Sequence, residues 1–277
     1  MLTWLYVPGD RPDRFAKAVA SGADTVILDL EDAVHPERKA YARRAVAEFC
    51  ADPHDVRLQV RIIALGSEAA TDDLAALGPV LGVGGFASLR LPKVESPAEV
   101  SELAAVLPGT RLHCLLESAL GVERAYDIAT AHSAVAGIGL GEADLRSDLG
   151  VADDAGLAYA RGRVVLAARA AGLSAPAMSV YPNVMDLGGL AASCRTGRSL
   201  GFVGAAAIHP RQLPIIVEAF RPSPDETQRA EELLAALAVS TADGRGTAVL
   251  PDGRFADRAM IAAAQRIVAL ARRYPPG

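Results

Sequence analysis

Apolar and polar positions follow two alternating spacings along this chain of 277 residues. Short apolar or β-branched runs predict buried strands, and the longer Ala-rich segments between them have the spacing of amphipathic helices. Strands are predicted at TWLYV (3–7), TVILDL (25–30), RLQVRI (57–62), GFASLRL (85–91), RLHCLLE (111–117), AVAGI (134–138), PAMSVY (176–181) and AAAIH (205–209).

This alternation predicts an α/β protein, and the strand–helix units fit a closed (β/α)8 TIM barrel better than an open doubly wound sheet. No GxGxxG follows the first strand, which weakens the dinucleotide-binding alternative. After the last strand, 223–240 predicts a capped helix, 244–254 a hairpin and 257–273 a final helix. We therefore expect a catalytic barrel domain over 1–221. A helical and hairpin extension over 222–277 should pack on the barrel or on a neighbouring subunit.

Charge and hydropathy narrow the class of protein. The formal net charge of −5 argues against a nucleic-acid surface, because proteins that bind the phosphate backbone concentrate positive charge. No stretch reaches the roughly 18 uncharged apolar residues of a membrane span, and no basic leader precedes the first apolar run. We expect a cytoplasmic protein without a membrane anchor, so any anionic ligand must be held by a local basic cluster.

Acidic residues end most of the predicted strands. In a barrel these ends meet at one mouth, where several carboxylates repel one another unless a cation lies between them. Carboxylate oxygens suit Mg²⁺, and Mn²⁺ is the alternative. Glu117 and Asp144 are the best candidates for metal ligands, because they follow neighbouring strands.

Three further groups of residues predict contacts with an anionic substrate. Arg61 ends the third strand, where a guanidinium can bind a carboxylate or an enolate oxygen. Gly141 and Ala143 flank Glu142 with little side-chain bulk, so that backbone N–H groups can approach a ligand. Arg11, Arg14 and Lys17 recur every three residues at a helix start, which suits phosphate groups.

The stretch VILDLEDAV (26–34) ends a buried strand in three carboxylates. If the strand persists, Asp29 and Glu31 share one face and Asp32 takes the other. We expect Glu31 and Asp32 to support the metal site from outside, by holding Arg61 or a metal-bound water.

Taken in order, these motifs resemble the citrate lyase beta-subunit family within the HpcH/HpaI aldolase superfamily. The residues that carry the resemblance are YVPGDRPDRFAKA (6–18), VILDLEDAV (26–34), VRIIALGS (60–67), LPKVES (91–96), LLESALG (115–121), GEADLRSDLG (141–150), SVYP (179–182) and AIHPRQL (207–213). The resemblance covers nearly the whole chain.

The resemblance implies a Mg²⁺-dependent carbon–carbon lyase, or the reverse condensing enzyme, acting on a malyl-, citramalyl- or citryl-type coenzyme A thioester. Glu117 and Asp144 would hold Mg²⁺ with a small 2-oxo acid, and Arg61 would stabilise the thioester enolate. The cluster Arg11, Arg14 and Lys17 would receive coenzyme A phosphates. Family members of this kind also imply a homo-oligomer, a trimer or hexamer.

Two catalytic carboxylates complete the implied site. DGRFAD places Asp257 where relatives donate an acid or base across subunits. Asp32 is the second, in the supporting role given above.

Three positions depart from the family pattern, which usually has Asn at Ile63, a carboxylate at Met178 and often Arg at Leu120. Two alternatives stay open. One is a class II pyruvate aldolase that works without coenzyme A, which predicts that the basic cluster is irrelevant. The other is a metal-binding or ligand-binding paralogue without turnover, and the departures at Ile63 and Met178 support only this paralogue.

Overall fold

The computed structural model describes residues 1–81, 86–242, 247–250 and 253–275. Internal contacts divide the chain into two compact units, Met1–Ala219 and Phe220–Gly277. The predicted boundary between 221 and 222 lies close to this division, and the roles assigned to the two segments stay predictions.

The first unit is built on a curled parallel sheet of seven strands, in the order β6-β5-β4-β3-β2-β1-β7. Every neighbouring pair is parallel, as expected of a TIM-barrel type fold, and the predicted α/β class is confirmed. The strands are β1 (Thr3–Pro8), β2 (Thr25–Asp29), β3 (Arg57–Arg61), β4 (Phe86–Leu91), β5 (Arg111–Leu116), β6 (Val135–Leu140) and β7 (Ala205–Ala207).

The predicted strand at 176–181 is wrong in part, because this segment makes only an isolated bridge between Met178 and Ala205. Pro176 has no N–H to give to a ladder. On the side of β6 the contact is made by a side chain: the Ser179 hydroxyl donates to the carbonyl oxygen of Leu140 at 2.5 Å and accepts from the amide of Glu142 at 3.2 Å. Residues 176–181 therefore stand between β6 and β7 without forming a full strand.

Helices follow most of the strands, and serine side chains begin several of them. Ser96 is the N-cap of the helix that begins at Pro97, since its hydroxyl accepts from the amide of Glu99 at 3.3 Å. Among the described residues, no helix combines the length and apolar character that a membrane span requires. The helices are α1 (Phe15–Val19), α2 (Lys39–Cys50), α3 (Glu68–Leu77), α4 (Pro97–Val106), α5 (Ala119–Glu123), α6 (Ala125–Ala129), α7 (Glu142–Leu149), α8 (Ala158–Ala170), α9 (Leu187–Ser199) and α10 (Leu213–Phe220).

Strand register determines which side chains meet inside the sheet. The parallel pairing places Asp29, Arg61, Arg90 and His113 opposite one another on β2, β3, β4 and β5. Two polar residues lie two positions apart on each of β3, β4 and β5, so each pair shares one face: Gln59 and Arg61, Ser88 and Arg90, and Arg111 and His113. All five residues of β2 are buried.

The second unit contains the helices α11 (Pro224–Ala242) and α12 (Ile261–Arg273) and an antiparallel pair, β8 (Thr247–Val249) and β9 (Phe255–Asp257). The hairpin prediction is confirmed in type, although its second strand lies just beyond the predicted 244–254, and residues 243–246 and 251–252 lie outside the described part. Apolar side chains of both helices and both strands form a cluster of their own, which includes Leu233, Leu237, Leu250, Ala256 and Val268.

Candidate active site

A continuous cavity of about 1600 Å³ runs along the inner face of the curled sheet. It brings together seven residues that were predicted for the site from separate parts of the sequence. These are Asp32, Arg61, Glu117, Gly141, Glu142, Ala143 and Asp144. Since strand ends supply most of them, the C-terminal end of the sheet is the candidate active site.

Arg61 is fixed at this end by the stretch VILDLEDAV. Its Nε and Nη2 donate to the two carboxylate oxygens of Asp29, each at 2.7 Å. Nη1 lies 2.9 Å from Glu31 and donates to Asp32 at 3.3 Å. Burial on its own lowers the pKa of Arg61, but the hydrogen bonds and charge of Asp29 outweigh it and raise the pKa. Arg61 is therefore a rigid, permanently charged group.

The three carboxylates reach Arg61 because β2 ends at Asp29. The Asp29 side chain accepts from the amides of Glu31 and Ala33 at 3.0 and 3.1 Å, which turns the chain out of the strand. The alternation expected if the strand persisted does not apply to Asp32, because the strand ends at Asp29. The expectation that Glu31 and Asp32 hold Arg61 agrees with these contacts.

Glu117 is a buried carboxylate without a complete set of partners. Only 4% of the residue is exposed, and its Oε2 has no hydrogen bond to any described residue. Burial raises the pKa of Glu117 to about 8; Glu31 and Asp144 repel its negative charge and act in the same direction, whereas Lys93 opposes them. A buried carboxylate oxygen with no donor is the kind of atom that a metal ion satisfies.

Gly141 forms a close wall beside this carboxylate. A Cβ at this position would lie 2.4 Å from Oε1 of Glu117, so any larger residue would displace the glutamate. The amide of Gly141 donates to the carbonyl of Leu116 at 3.1 Å, which corrects the expectation that it is free for a ligand. Helix α7 begins at the next residue, and the amides of Ala143 and Asp144 have no acceptor among the described residues.

The donor set fits a magnesium ion. No group of three or more His, Cys, Asp or Glu side chains converges on one point in the described ranges. Mg²⁺ is commonly held by one or two carboxylates, with water and substrate oxygens in the other positions. Glu117 with Asp144 would supply such a pair, and the unpartnered Oε2 of Glu117 would gain a ligand.

Lys93 is a site residue that the sequence alone did not single out. Its Nζ hydrogen-bonds to Glu31 Oε1 and lies 3.8 Å from Glu117 Oε2 and 3.9 Å from Asp32. Lys93 is also the only described residue other than glycine with a positive φ, at 53°. Such a conformation persists where the surroundings impose it, which is common at functional sites. Lys93 thus links the carboxylates around Arg61 to the proposed metal ligand.

Arg161 is a second residue that was missed. This buried side chain on α8 donates to both carboxylate oxygens of Glu142, at 2.8 and 2.7 Å, and to Asp154 at 3.0 Å. The Glu142 side chain is therefore engaged by an ion pair. A contact between this residue and a ligand would have to come from its backbone.

The basic cluster predicted to bind phosphates lies elsewhere. Arg11, Arg14 and Lys17 do not line the cavity, and the predicted long helix is a 3-10 turn over Pro12–Arg14 followed by the short α1. Arg11 forms a two-pronged pair with Asp13, at 2.9 and 2.8 Å. Arg14 and Lys17 are exposed and have no ion pair with any described residue.

Asp257 ends β9 in the second unit, where it accepts from the amide of Ala259 at 2.9 Å. Its predicted role concerns a neighbouring subunit and stays a prediction.

Three positions depart from the residues that the family usually has. Ile63 is half-buried, Leu120 is exposed, and Met178 is buried against Gly197 of α9.

Comparison with known proteins gives the family. The model of the family described as HpcH/HpaI aldolase/citrate lyase matches residues 2–210. The chain belongs to this family. The resemblance that the motifs carried is thereby confirmed.

Similar relatives cover nearly the whole chain. A (3S)-malyl-CoA thioesterase of Cereibacter sphaeroides is 35% identical over an alignment of 277 positions, which covers 96% of this chain and 93% of the relative. A citrate lyase subunit beta-like protein of Mycobacterium tuberculosis is 39% identical over an alignment of 241 positions, which covers 84% of each chain.

A solved structure shares the fold at full length. CitE from M. tuberculosis, in complex with magnesium, acetoacetate and coenzyme A, matches with a TM-score of 0.80 and 34% identity over 98% of each chain. A further structure, the citrate lyase beta subunit of the same organism, holds oxaloacetate and magnesium, with a TM-score of 0.68 and 36% identity over 79% of this chain and 96% of that one.

Proposed function

We propose that this protein is a Mg²⁺-dependent carbon–carbon lyase, or the reverse condensing enzyme, that acts on a 3-hydroxyacyl coenzyme A thioester and releases or consumes a 2-oxo acid. The observation that carries the proposal is the buried, incompletely partnered carboxylate of Glu117 against Gly141, with Asp144 and Arg61 on the same cavity. The magnesium and coenzyme A found in the related structure support the same chemistry.

Glu117 and Asp144 would hold the magnesium, with Mn²⁺ as a possible substitute. When bound, this ion supplies positive charge beside the carboxylate and 2-oxo oxygen of the oxo acid. The amides of Ala143 and Asp144 at the start of α7, which have no acceptor among the described residues, would orient the same carboxylate, because a helix N-terminus favours an anion.

In cleavage, the substrate hydroxyl gives its proton to solvent, from which Asp257 is reprotonated after turnover, and the bond between C2 and C3 breaks, which leaves an enolate on the thioester. Arg61 is placed to stabilise this enolate oxygen, since Asp29 fixes the guanidinium plane and one Nη2 proton stays unused by the described residues. Protonation of the enolate carbon by Asp257 then gives the acyl-CoA product. Asp32 would act indirectly, through its hydrogen bond to Arg61.

The direct test is a product assay with malyl-, citramalyl- and citryl-CoA. A lyase releases an oxo acid and an acyl-CoA, whereas a thioesterase, the activity named for the C. sphaeroides relative, releases free coenzyme A thiol and the hydroxy acid. We expect Mg²⁺-dependent oxo acid with no thiol in the first turnover. Thiol as the only product would replace the lyase by the thioesterase, and no product with any of the thioesters would contradict both.

We also propose that Asp257 acts across a subunit interface in a homo-oligomer, a trimer or hexamer, located in the cytoplasm. The position of Asp257 in the family pattern supports this, and light scattering would give the subunit number. If Asp257→Asn and Arg61→Ala are each inactive, a mixture refolded together should recover part of the activity. No recovery from a mixture that does form hybrid oligomers would contradict donation between subunits.

Coenzyme A binding by Arg11, Arg14 and Lys17 belongs to the same proposal. This part of the proposal is supported by the exposure of Arg14 and Lys17, which have no ion pairs among the described residues. Arg14→Glu should raise KM for the thioester about tenfold, since one phosphate contact is replaced by repulsion. The exposed Arg44→Glu on α2 is the control, and an unchanged KM in Arg14→Glu would favour an aldolase that works without coenzyme A.

A further inference from the structure

The cavity continues below the candidate active site into the interior of the sheet, where its charge is reversed. Arg90 and the imidazole of His113 line this lower part, and the exposed Arg57 and Arg111 line its edge at the starts of β3 and β5. Every acidic residue that lines the described cavity belongs instead to the upper end or to the segment after β6. The lower part therefore holds positive charge without the carboxylates that usually accompany it.

Arg90 is the central group of this lower part. Its Nε and Nη2 both donate to one oxygen, Oε1 of Gln59, at 3.2 and 2.9 Å. No carboxylate lies within ion-pair distance of Arg90 among the described residues, in contrast to Arg61 on the neighbouring strand, which touches three. A guanidinium held inside a barrel with only a neutral partner has donors and charge left for an anion.

A second polar group faces the same space. Ser88 lies two residues before Arg90 on β4 and so shares its face. Only 2% of Ser88 is exposed, and its hydroxyl has no hydrogen-bond partner among the described residues although it lines the cavity. A buried hydroxyl of this kind is satisfied by a ligand or a water.

We propose that Arg90 and Ser88 form a second ligand site inside the barrel, which binds a carboxylate or a similarly small oxyanion. The Gln59 amide orients the guanidinium from below. His113, opposite Arg90 in register, completes the wall. Burial, with Arg90 and Arg111 adding to it, lowers the pKa of His113 to about 3, so that this imidazole is neutral and does not need a counter-ion.

The distance from the metal ligand indicates what kind of molecule brings the anion. His113, in register with Arg90, precedes Glu117 by four residues, and Glu117 directly follows β5, so the Cα atoms of His113 and Glu117 are roughly 13 Å apart along the extended chain. One source is the far carboxylate of a dicarboxylic 2-oxo acid with several carbons between its two ends. The other is a free anion beside a shorter oxo acid. We assign the site to the long dicarboxylic acid. This assignment rests on the proposed function, which places the oxo acid at Glu117.

The test measures binding and needs no turnover. Trp4 is the single tryptophan of the chain and lines the cavity, so its fluorescence reports occupancy. With magnesium present, 2-oxoadipate and its one- and two-carbon longer homologues are titrated, each against the monocarboxylic 2-oxo acid of the same length. Acetate and inorganic phosphate are titrated separately. At least one dicarboxylic acid should bind about tenfold tighter than its matched partner, because it adds a charge-assisted hydrogen bond.

Arg90→Met should remove this preference and leave the monocarboxylic acid and magnesium bound as in the unmodified protein. The control is Arg44→Met, which makes the same change of charge on an exposed face of α2 outside the cavity. Circular dichroism checks the fold of each variant. If Arg90→Met does not fold, Arg90→Lys keeps the charge but not the fork, and should reduce the preference.

Three outcomes decide the matter. A preference that is lost only in the Arg90 variant supports the site and the long substrate. A saturable response to acetate or phosphate that depends on Arg90, without preference among the matched acids, supports the site with a free anion and overturns the long substrate. Neither response, or responses unchanged by Arg90→Met, overturns the site. Since turnover is not measured, a failure of the lyase assay would leave these results interpretable.

Discussion

The two ends of the barrel cavity carry opposite charge, although strands β2 to β5 build both. At the C-terminal end, carboxylates outnumber cations: Asp29, Glu31 and Asp32 surround Arg61, and Glu117 faces Asp144. Deeper in the cavity, Arg90 hydrogen-bonds only to Gln59 among the described residues, although it lies in register with Arg61 on the neighbouring strand. The upper end therefore needs a cation and the lower end an anion, so the natural occupant is a metal with a ligand that carries negative charge far from the metal.

The strongest way to break this contrast is Glu117→Gln, which removes the ionisable carboxyl group that would carry negative charge beside the metal. Changes beside a metal ligand typically cost 10- to 100-fold in affinity, so loss of the ligand itself should weaken magnesium binding by about 100-fold or more. Calorimetry with magnesium measures the effect, and Glu102→Gln on the exposed face of α4 is the matched control. Magnesium affinity within a few-fold of the unmodified protein would show that Glu117 is not a ligand.

The pH dependence of magnesium binding tests the same carboxylate without mutation. The pKa of Glu117 is raised from its ordinary 4.5 to about 8, so between these values the folded protein binds a proton that the unfolded chain releases. Glu117 therefore contributes its full stabilisation to the folded, metal-free protein below about pH 4.5, and this contribution is lost as the pH rises through 8.

Magnesium must displace that proton. Its affinity should rise about tenfold per pH unit below pH 8 and level off above it. Calorimetry in buffers of different ionisation enthalpy would count one proton released at pH 7. A flat pH profile with no proton release would mean that Glu117 is already ionised in the metal-free protein.

Lys93 offers a smaller change, because it is the cation that counteracts the carboxylates around Glu117. Since Lys93 lowers the pKa of Glu117, Lys93→Met should move the midpoint of the magnesium pH profile upward by about one pH unit. Lys93→Arg keeps the charge and should leave the midpoint nearly in place. An unchanged midpoint in Lys93→Met would show that the 3.8 Å contact is not felt electrostatically.

The upper end of this contrast could be predicted from the sequence. Apolar runs located the strands, and since parallel strands end at one mouth, the sequence predicts Glu117, Asp144 and Arg61 together. The irregular form of residues 176–181 could not be predicted from their apolar run, because a proline and a serine side-chain contact replace the ladder of a regular strand.

The lower end was missed, although its signal was present. RLQVRI and SLRL alternate polar and apolar residues, whereas strands covered on both faces are usually apolar throughout. Read in that way, Gln59, Ser88 and Arg90 would have predicted a polar barrel interior. Lys93 and Arg161 could not be placed, because their roles depend on side-chain contacts that bring together residues 19 to 62 positions apart.

The smallest expected effect concerns the wall of the lower end. A Cβ on Gly137 of β6 would lie 2.9 Å from Nδ1 of His113, so Gly137→Ala should push the ring toward the cavity. Because the cavity gives the ring room, we expect a cost of only about 1 kcal/mol, or about 3 °C in Tm. The check is a double-mutant cycle: in a His113→Ala background the same change should cost almost nothing, since the contact is gone. Equal costs in both backgrounds would show that His113 does not pack against β6, and the lower end would then lose the wall that confines an anion at Arg90.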